Sequence, residues 1–394
     1  MSSVARKTLI FHVGDHKTGS TSIQTAFAGG RVRLDNARTF FPSKLSHNWL
    51  RDHCKAYASG TRSPARKKAI NIFKNLAANI RQADAEFCLI SGESLENIPA
   101  SVFKDIVTRF FKDAADDIRV VAYVRPHPGR ITSSYTERVK TGLPNALKRN
   151  LDEFFDFTLE NASFVYAPRF RAWREHFGDN FILRPMIREQ LYRGSVVDDF
   201  VRHVCATTDF TILDGGNANE SLLLEDLMRL KTLQRHIPKG TSPKLRLAIG
   251  WEFARIVGQM APSGPRTKLR MHTELAEKTR AAYLEDARAI DREFFDARPL
   301  LENELDRAVA GAIPEALSTR PKDHLPVSEL RSLEVLSRFI AGMLENDQVE
   351  WPAFLRNKRI GDVDTTRASI TSASIASAST VSASVTSPGA AAAK

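Results

Sequence analysis

The sequence predicts a three-layer α/β protein, in which a central, mostly parallel sheet is flanked by helices and followed by a C-terminal helical extension. Three short apolar runs indicate the strands, at residues 9–13, 87–90 and 117–124, and amphipathic helical segments alternate with them. Continuous apolar runs of this length are typical of strands buried on both faces, as in parallel sheets. The 394 residues, 42% of them hydrophobic, are enough for one large domain with appendages or for two domains.

The first predicted strand leads into a glycine-containing loop that is rich in hydroxyl groups. Gly14 and Gly19 bracket the loop, Lys17 lies inside it, and the Ser-Thr-Ser run at 20–22 opens a helix. The first N–H groups of a helix lack helical partners and carry positive partial charge, so such a turn can bind an anion. The sequence therefore predicts a P-loop-like fold with a phosphate or sulfate site, for which a simple tight turn is the alternative.

The position of the lysine distinguishes this loop from a Walker A motif. In G-x-x-x-x-G-K-[ST] the lysine follows the second glycine, whereas here Ser20 follows it and Lys17 lies within the loop. The form G-x-x-K-T-G-S-T, with His16 before the lysine, resembles the 5′-phosphosulfate loop of sulfotransferases that use 3′-phosphoadenosine 5′-phosphosulfate (PAPS). It is most similar to bacterial members and their glycan-sulfating relatives.

This resemblance implies roles for the loop residues. Lys17 would contact the bridging oxygen of PAPS and offset the charge that develops on the leaving 5′-phosphate. The N–H and O–H groups that would bind this phosphate belong to Thr18, Gly19, Ser20 and Thr21. No metal is expected, because the sequence has neither HExxH nor CxxC ligand spacing.

A carboxylate follows the second predicted strand. Glu93 comes after Ser91 and Gly92, at the end of a strand where parallel sheets bind ligands, and there it can act as a general base. Capping of the next segment or pairing with a surface arginine are the alternatives. The segment is similar to the strand-Ser-x-Glu element of bacterial and heparan-type sulfotransferases, in which the glutamate is the base. His16 is the other candidate for the base or for a sulfate contact, with a structural role in the loop as its alternative.

The third predicted strand ends at Arg125, and Pro126 and Pro128 then favour a turn into a helix. Ser133 and Ser134 follow the arginine by eight and nine residues. This arrangement is similar to the sulfotransferase 3′-phosphate motif, although the prolines stand one and three residues after the arginine instead of two. The resemblance implies that Arg125 and Ser133, or Ser134 in its place, bind the 3′-phosphate and select against ATP. A surface salt bridge is the alternative for Arg125.

Charge and cysteine content limit the partners and the compartment. The net charge of +11 suits an anionic partner without identifying it, and the lack of a dense Lys/Arg run interleaved with aromatic residues argues against nucleic acid. Cys54, Cys88 and Cys205 have neither disulfide-framework nor zinc spacing, which indicates a reducing compartment. The sequence has no signal-peptide pattern and no apolar run of transmembrane length. We therefore expect a cytoplasmic protein without a transmembrane segment.

We divide the chain into three parts. Residues 1–305 are a sulfotransferase-like α/β domain, since the resemblance covers roughly 7–300. Residues 306–362 are a helical C-terminal extension, to which the sequence assigns no role. Residues 363–394 are rich in Ala, Ser and Thr and are expected to be disordered.

The resemblance implies an enzyme that moves the sulfuryl group from PAPS to a hydroxyl or amine of an acceptor by in-line transfer. Family analogy favours a glycan or glycolipid as the acceptor, and His47, Trp49 and His53 are candidates to line its cleft or simply to pack. A P-loop kinase or NTPase is an alternative, opposed by the displaced lysine and by the lack of a Walker-B aspartate after the second strand. A non-catalytic basic protein that binds acidic glycan is the third hypothesis.

Overall fold

A five-stranded parallel sheet forms the centre of the protein in the computed structural model, which describes residues 6–60, 62–213, 222–238, 240–261, 266–345 and 349–365. The strands lie in the order β3-β4-β1-β5-β6, and each neighbouring pair is parallel. Their bounds are β1 Thr8–His12, β3 Thr39–Phe40, β4 Phe87–Ser91, β5 Asp117–Val124 and β6 Phe181–Pro185. A separate antiparallel pair joins β2 Val32–Leu34 to β7 Phe210–Ile212. The predicted α/β class with a parallel central sheet is confirmed.

Helices cover both faces of this sheet. Their bounds are α1 Ser20–Ala28, α2 Leu50–Ala58, α3 Pro64–Gln82, α4 Ala100–Ile106, α5 His127–Lys140, α6 Pro144–Leu147, α7 Leu151–Glu160, α8 Ala167–Phe177, α9 Val196–Val204, α10 Leu224–His236, α11 Pro243–Gln259, α12 Thr273–Phe294, α13 Leu300–Ala310 and α14 Val327–Leu344. Residues 351–365 form one more helix, here called the C-terminal helix.

Alternate residues of the central strands enter two different cores. Leu9 and Phe11 of β1 pack in the core formed with α3, α4 and α8, whereas Ile10 packs with α1 and α9 on the other face. Strands β4 and β5 show the same alternation. Because successive strand residues point to opposite faces, a strand covered on both sides is apolar throughout, which explains the continuous apolar runs.

The C-terminal part of the chain extends the helical layers. A third core surrounds α5 and contains residues of α7, α10 and α12, while α14 packs on α10. The boundary that we placed at residue 305 falls inside α13, which packs along α12. Residues 363–365, assigned by sequence to a disordered tail, belong to the C-terminal helix, and the remainder of that tail lies outside the described residues. No helix in the described ranges combines the length and the apolar character needed to cross a membrane.

His47 packs inside the protein and does not line a cleft, which is the second of the two roles considered for it from the sequence. Its ring is fully buried against Phe41, and its Nδ1 accepts a hydrogen bond from the backbone N–H of Ser91 at 3.1 Å. Trp49, next to it along the chain, is partly exposed. His12 of β1 is also fully buried, and its Nδ1 lies 2.9 Å from Ser91 Oγ. Two buried imidazoles therefore contact one residue at the end of β4.

These two histidines should make the protein sensitive to acid. Burial lowers the pKa of His12 and of His47 to about 4, from 6.5. As the pH is lowered, each histidine binds its proton in the unfolded chain before it does so in the folded protein. The free energy of unfolding therefore falls as the pH drops from about 6.5 to 4. The fall amounts to about 3 kcal/mol per histidine at the lower pH. His47→Asn keeps an acceptor for the Ser91 N–H and should lose less stability over this range than the wild type.

Urea unfolding between pH 7 and pH 4.5 measures this difference. His236→Asn is the matched control, because it makes the same substitution at an exposed residue at the end of α10. An equal loss of stability in His47→Asn and the wild type would contradict the prediction.

Candidate functional site

The loop between β1 and α1 lies at the carboxyl edge of the sheet. Lys17 and Gly19 both have left-handed backbone conformations, with φ of 65° and 79°. A side chain at Gly19 would also collide with Val196, because a Cβ there would lie 2.8 Å from Val196 Cγ1. Gly19 caps α1 without a side-chain hydrogen bond, so the first N–H groups of this helix can bind an anion.

The hydroxyl groups of the loop do not all point toward a ligand. Thr18 Oγ1 donates to the Asp15 carbonyl at 2.5 Å, and Ser20 Oγ lies 3.2 Å from the same oxygen. Both side chains are buried, so they stabilise the curve of the loop. What Thr18 and Ser20 can offer an anion is therefore their backbone N–H groups, whereas the hydroxyl of Thr21 lies on a partly exposed residue.

A buried ion pair beneath the loop was missed by the sequence analysis. The carboxylate of Asp15 is 1% exposed, and Arg169 of α8 donates to both of its oxygens at 2.9 and 2.6 Å. Arg130 of α5 lies 3.8 Å away. Burial alone would raise the pKa of Asp15, but the charges of the two arginines bring it below its ordinary value. Asp15 is therefore an ionised group inside the protein.

His16 has a carboxylate partner on the turn after β4. Its Nδ1 lies 2.6 Å from Glu96 Oε1, and its backbone N–H donates to Glu96 Oε2 at 2.9 Å. A carboxylate at Nδ1 favours the tautomer that leaves Nε2 free to accept a proton. Burial lowers the pKa of His16, although nearby Glu93 acts to raise it. The arrangement thus holds a neutral imidazole at the loop.

Lys17, Glu93 and Glu137 surround the ring of His16, since the charges of Glu93 and Glu137 both act on it. The Lys17 ammonium lies 3.1 Å from Glu137 Oε2 on α5, and Lys140 lies 2.6 Å from the same oxygen. Burial acts to raise the pKa of Glu137, but these two lysines bring it below its ordinary value. Glu93 is partly exposed, and Asn48 Nδ2 lies 3.4 Å from its Oε1.

Arg125 joins the end of β5 to the loop. Its Nη1 donates to the carbonyl of Lys17 at 2.9 Å, and within the described ranges Arg125 forms no salt bridge. The guanidinium lies along the first turn of α5, where a Cβ on Gly129 would come within 3.0 Å of Arg125 Nε. Ser133 follows Gly129 by four residues and so shares its face of the helix, whereas Ser134 lies about 100° further round the helix axis than Ser133. This favours Ser133 over Ser134 as the partner of Arg125.

The C-terminal helix adds groups that the sequence did not predict. Trp251 of α11 lies between two cations, with Lys140 Nζ 4.0 Å and Arg359 Cζ 4.4 Å from its ring centroid. Burial lowers the pKa of Arg359, while the charges of Glu137 and Glu93 act to raise it. Arg359, near the end of the described chain, therefore lies close to the same carboxylates as Lys17, near its beginning.

Comparison with known proteins gave no match to a family model, to a curated protein or to a solved structure. Function must therefore be argued from the site itself. Within the described ranges, no group of three or more His, Cys, Asp or Glu side chains could hold a metal ion.

The ion pair between Asp15 and Arg169 should be essential for stability. Arg169→Met leaves a carboxylate buried without its partner, which should lower the free energy of unfolding by about 3–5 kcal/mol. Arg171→Met on the same helix is the control, since Arg171 makes a similar two-bond contact with Glu293 but is half exposed. Its loss should be much smaller. Urea unfolding of both variants measures the difference, and equal losses would show that Asp15 does not depend on Arg169.

Proposed function

We propose that this protein is a PAPS-dependent sulfotransferase, acting on a hydroxyl or amine of a carbohydrate or glycoconjugate. The observation that supports this best is the hydrogen bond from Arg125 Nη1 to the Lys17 carbonyl, at 2.9 Å. It brings the residue proposed for the 3′-phosphate into contact with the loop proposed for the 5′-phosphosulfate. A nucleotide with one phosphate on the 5′ carbon and another on the 3′ carbon of its ribose would fit these two neighbouring anion-binding groups.

The proposed transfer takes place at sulfur. The acceptor oxygen or nitrogen forms a bond to sulfur while the bond from sulfur to the bridging oxygen breaks, and the electron pair of that bond stays on the 5′-phosphate. Lys17 would offset this charge, and the N–H groups of Gly19, Ser20 and Thr21 would bind the phosphate. Arg125 and Ser133 would bind the 3′-phosphate, for which a guanidinium offers a matching set of donors.

The acceptor proton requires a base, and His16 and Glu93 are the two groups placed to take it. The geometry favours His16, because Glu96 holds its Nδ1 at 2.6 Å and its lowered pKa keeps the ring neutral at pH 7. Glu93 would then contribute negative charge beside the ring. We also propose a cytoplasmic location, since Cys54, Cys88 and Cys205 are all free and buried thiols.

Nucleotide selectivity tests the proposal most directly. Adenosine 3′,5′-bisphosphate should raise the melting temperature, whereas ADP and ATP–Mg²⁺ at the same concentration should not, because only the bisphosphate has a 3′-phosphate for Arg125. At a hundred times Kd the stabilisation is about 2.7 kcal/mol. Arg125→Ala should lose the shift, and Arg51→Ala, on half-exposed Arg51 of α2, should keep it. A shift with ATP–Mg²⁺ alone would instead indicate a kinase or NTPase, and no shift with any of the three would favour a non-catalytic binding protein.

Turnover identifies the base. With an acceptor found in a carbohydrate screen, the rate at which adenosine 3′,5′-bisphosphate is released from PAPS can be measured against pH. This rate should fall at acid pH, giving an acid limb with an apparent pKa below 6.5. This acid limb should disappear in His16→Gln and persist in Glu93→Gln. Lys17→Ala should lower kcat by about 100-fold or more, while Lys67→Ala, on exposed Lys67 of α3, should not. Loss of the acid limb in Glu93→Gln alone would assign the base to Glu93.

A further inference from the structure

A basic groove lies apart from the loop and has no part in the proposed chemistry. Its volume is about 770 Å³, and its walls come from the junction of α6 with α7, from α10, from the segment 319–322 and from α14. Seven of the lining residues are Lys or Arg and two are Glu. We call this cleft the basic groove.

Helix α5 separates the basic groove from the loop. Glu137 of α5 contacts Lys17, whereas Tyr135, two residues earlier, projects from the opposite side of the helix and reaches the groove. There Tyr135 Oη donates to the Arg149 carbonyl at 2.9 Å. The groove is therefore a second site and not an extension of the candidate site at the loop between β1 and α1.

A buried ammonium group forms the floor of the groove. Lys231 of α10 is 1% exposed, and its Nζ lies 2.8 Å from Tyr135 Oη, 3.1 Å from the Arg149 carbonyl and 2.9 Å from the Thr319 carbonyl. These bonds connect three walls of the groove through neutral oxygens. Burial, with a contribution from Arg235, lowers the pKa of Lys231 to about 7. An anion bound above Lys231 would balance the positive charge of its protonated amino group.

The rim of the groove carries four exposed cations. Lys148, Arg320, Lys322 and Arg331 form no ion pair within the part of the chain that the structure describes. The charge of Asp323 acts on Arg320 and Lys322, although none of its oxygens forms an ion pair with them. Their charge is available to a ligand.

The acidic residues of the groove are already engaged elsewhere. Glu153 forms a capping box with Asn150 at the start of α7, and Glu334 lies 2.6 Å from Arg338 on the outer face of α14. Asp323, beside the groove, accepts a hydrogen bond from Ser318 Oγ at 2.5 Å. Glu153 and Asp323 keep their charge in these contacts, but seven Lys or Arg against two Glu still give the lining an excess of positive charge.

We propose that the basic groove binds an acidic glycan, through sulfate or carboxylate groups spaced along its chain. Cations on four separate elements suit a ligand with repeated negative charges rather than a single ion. The lining has no Phe, Tyr or Trp, and its one ring is the imidazole of His236, so it offers no row of rings on which successive bases could stack. This disfavours single-stranded nucleic acid. Binding here requires no sulfuryl transfer, so the inference stands apart from the proposed function.

The test measures binding of a fluorescent sulfated decasaccharide by anisotropy at several salt concentrations. Lys148→Gln, Arg320→Gln and Arg331→Gln combined in one protein should weaken binding at least tenfold and reduce its salt dependence. The matched control removes three exposed lysines from α2 and α3, as Lys55→Gln, Lys67→Gln and Lys74→Gln, and should change Kd less than twofold. All six side chains are exposed or at the rim, so both proteins should fold, which melting curves verify.

Other outcomes would overturn the proposal. Equal weakening in the two triple variants would mean that net charge alone attracts the decasaccharide, and no binding to the wild type would exclude an acidic-glycan site. Tighter binding of a single-stranded DNA of equal charge would assign the groove to nucleic acid. Arg125→Ala should bind the decasaccharide as the wild type does, so failure of the nucleotide proposal would leave this result unaffected.

Discussion

A carboxylate inside a protein needs a compensating charge, and Arg169 supplies it to Asp15 through two hydrogen bonds. The consequences extend through the whole candidate site. The carbonyl of Asp15 accepts from Thr18 and lies near Ser20 Oγ, so the loop curves around this residue. The same arginine lies 3.5 Å from Glu96, the residue that holds the ring of His16. One ion pair between the loop after β1 and α8 thus stabilises the conformation of the loop and contributes to the placement of the imidazole.

The parallel sheet explains why the remaining candidate groups meet. Strands β1, β4 and β5 are neighbours and run in one direction, so the residues that follow them come together at a single edge. Lys17, Glu93 and Arg125 come from these three connections. A sheet with one of these strands reversed would place its polar residues at the opposite edge, more than a strand length away.

The sequence predicted the parts of the structure that depend on local patterns. The three central strands follow from continuous apolar runs, and Lys17, Glu93 and Arg125 follow from their positions just after those strands. Asp15, Glu96 and Arg169 could not be predicted, because their significance lies in partners 80 or more positions away in the sequence. Their residue types are common on protein surfaces, and only the packing of α8 against the loop selects them. Short strands such as β2 and β3 were missed because two or three residues give no recognisable periodicity.

The C-terminal helix places Arg359 beside Trp251 and near the acidic groups that surround Lys17. The first and the last described segments both contribute to this region, and the ribosome makes them at different times. The sheet and its loop belong to the first half of the chain and can begin to fold while the ribosome is still at work, because domains generally fold from the N-terminus during synthesis. The contact of Arg359 with Trp251 forms only after nearly all of this sequence has been translated. Until then the groups around Lys17 lack the charge of Arg359, and Trp251 lacks one of its two cations.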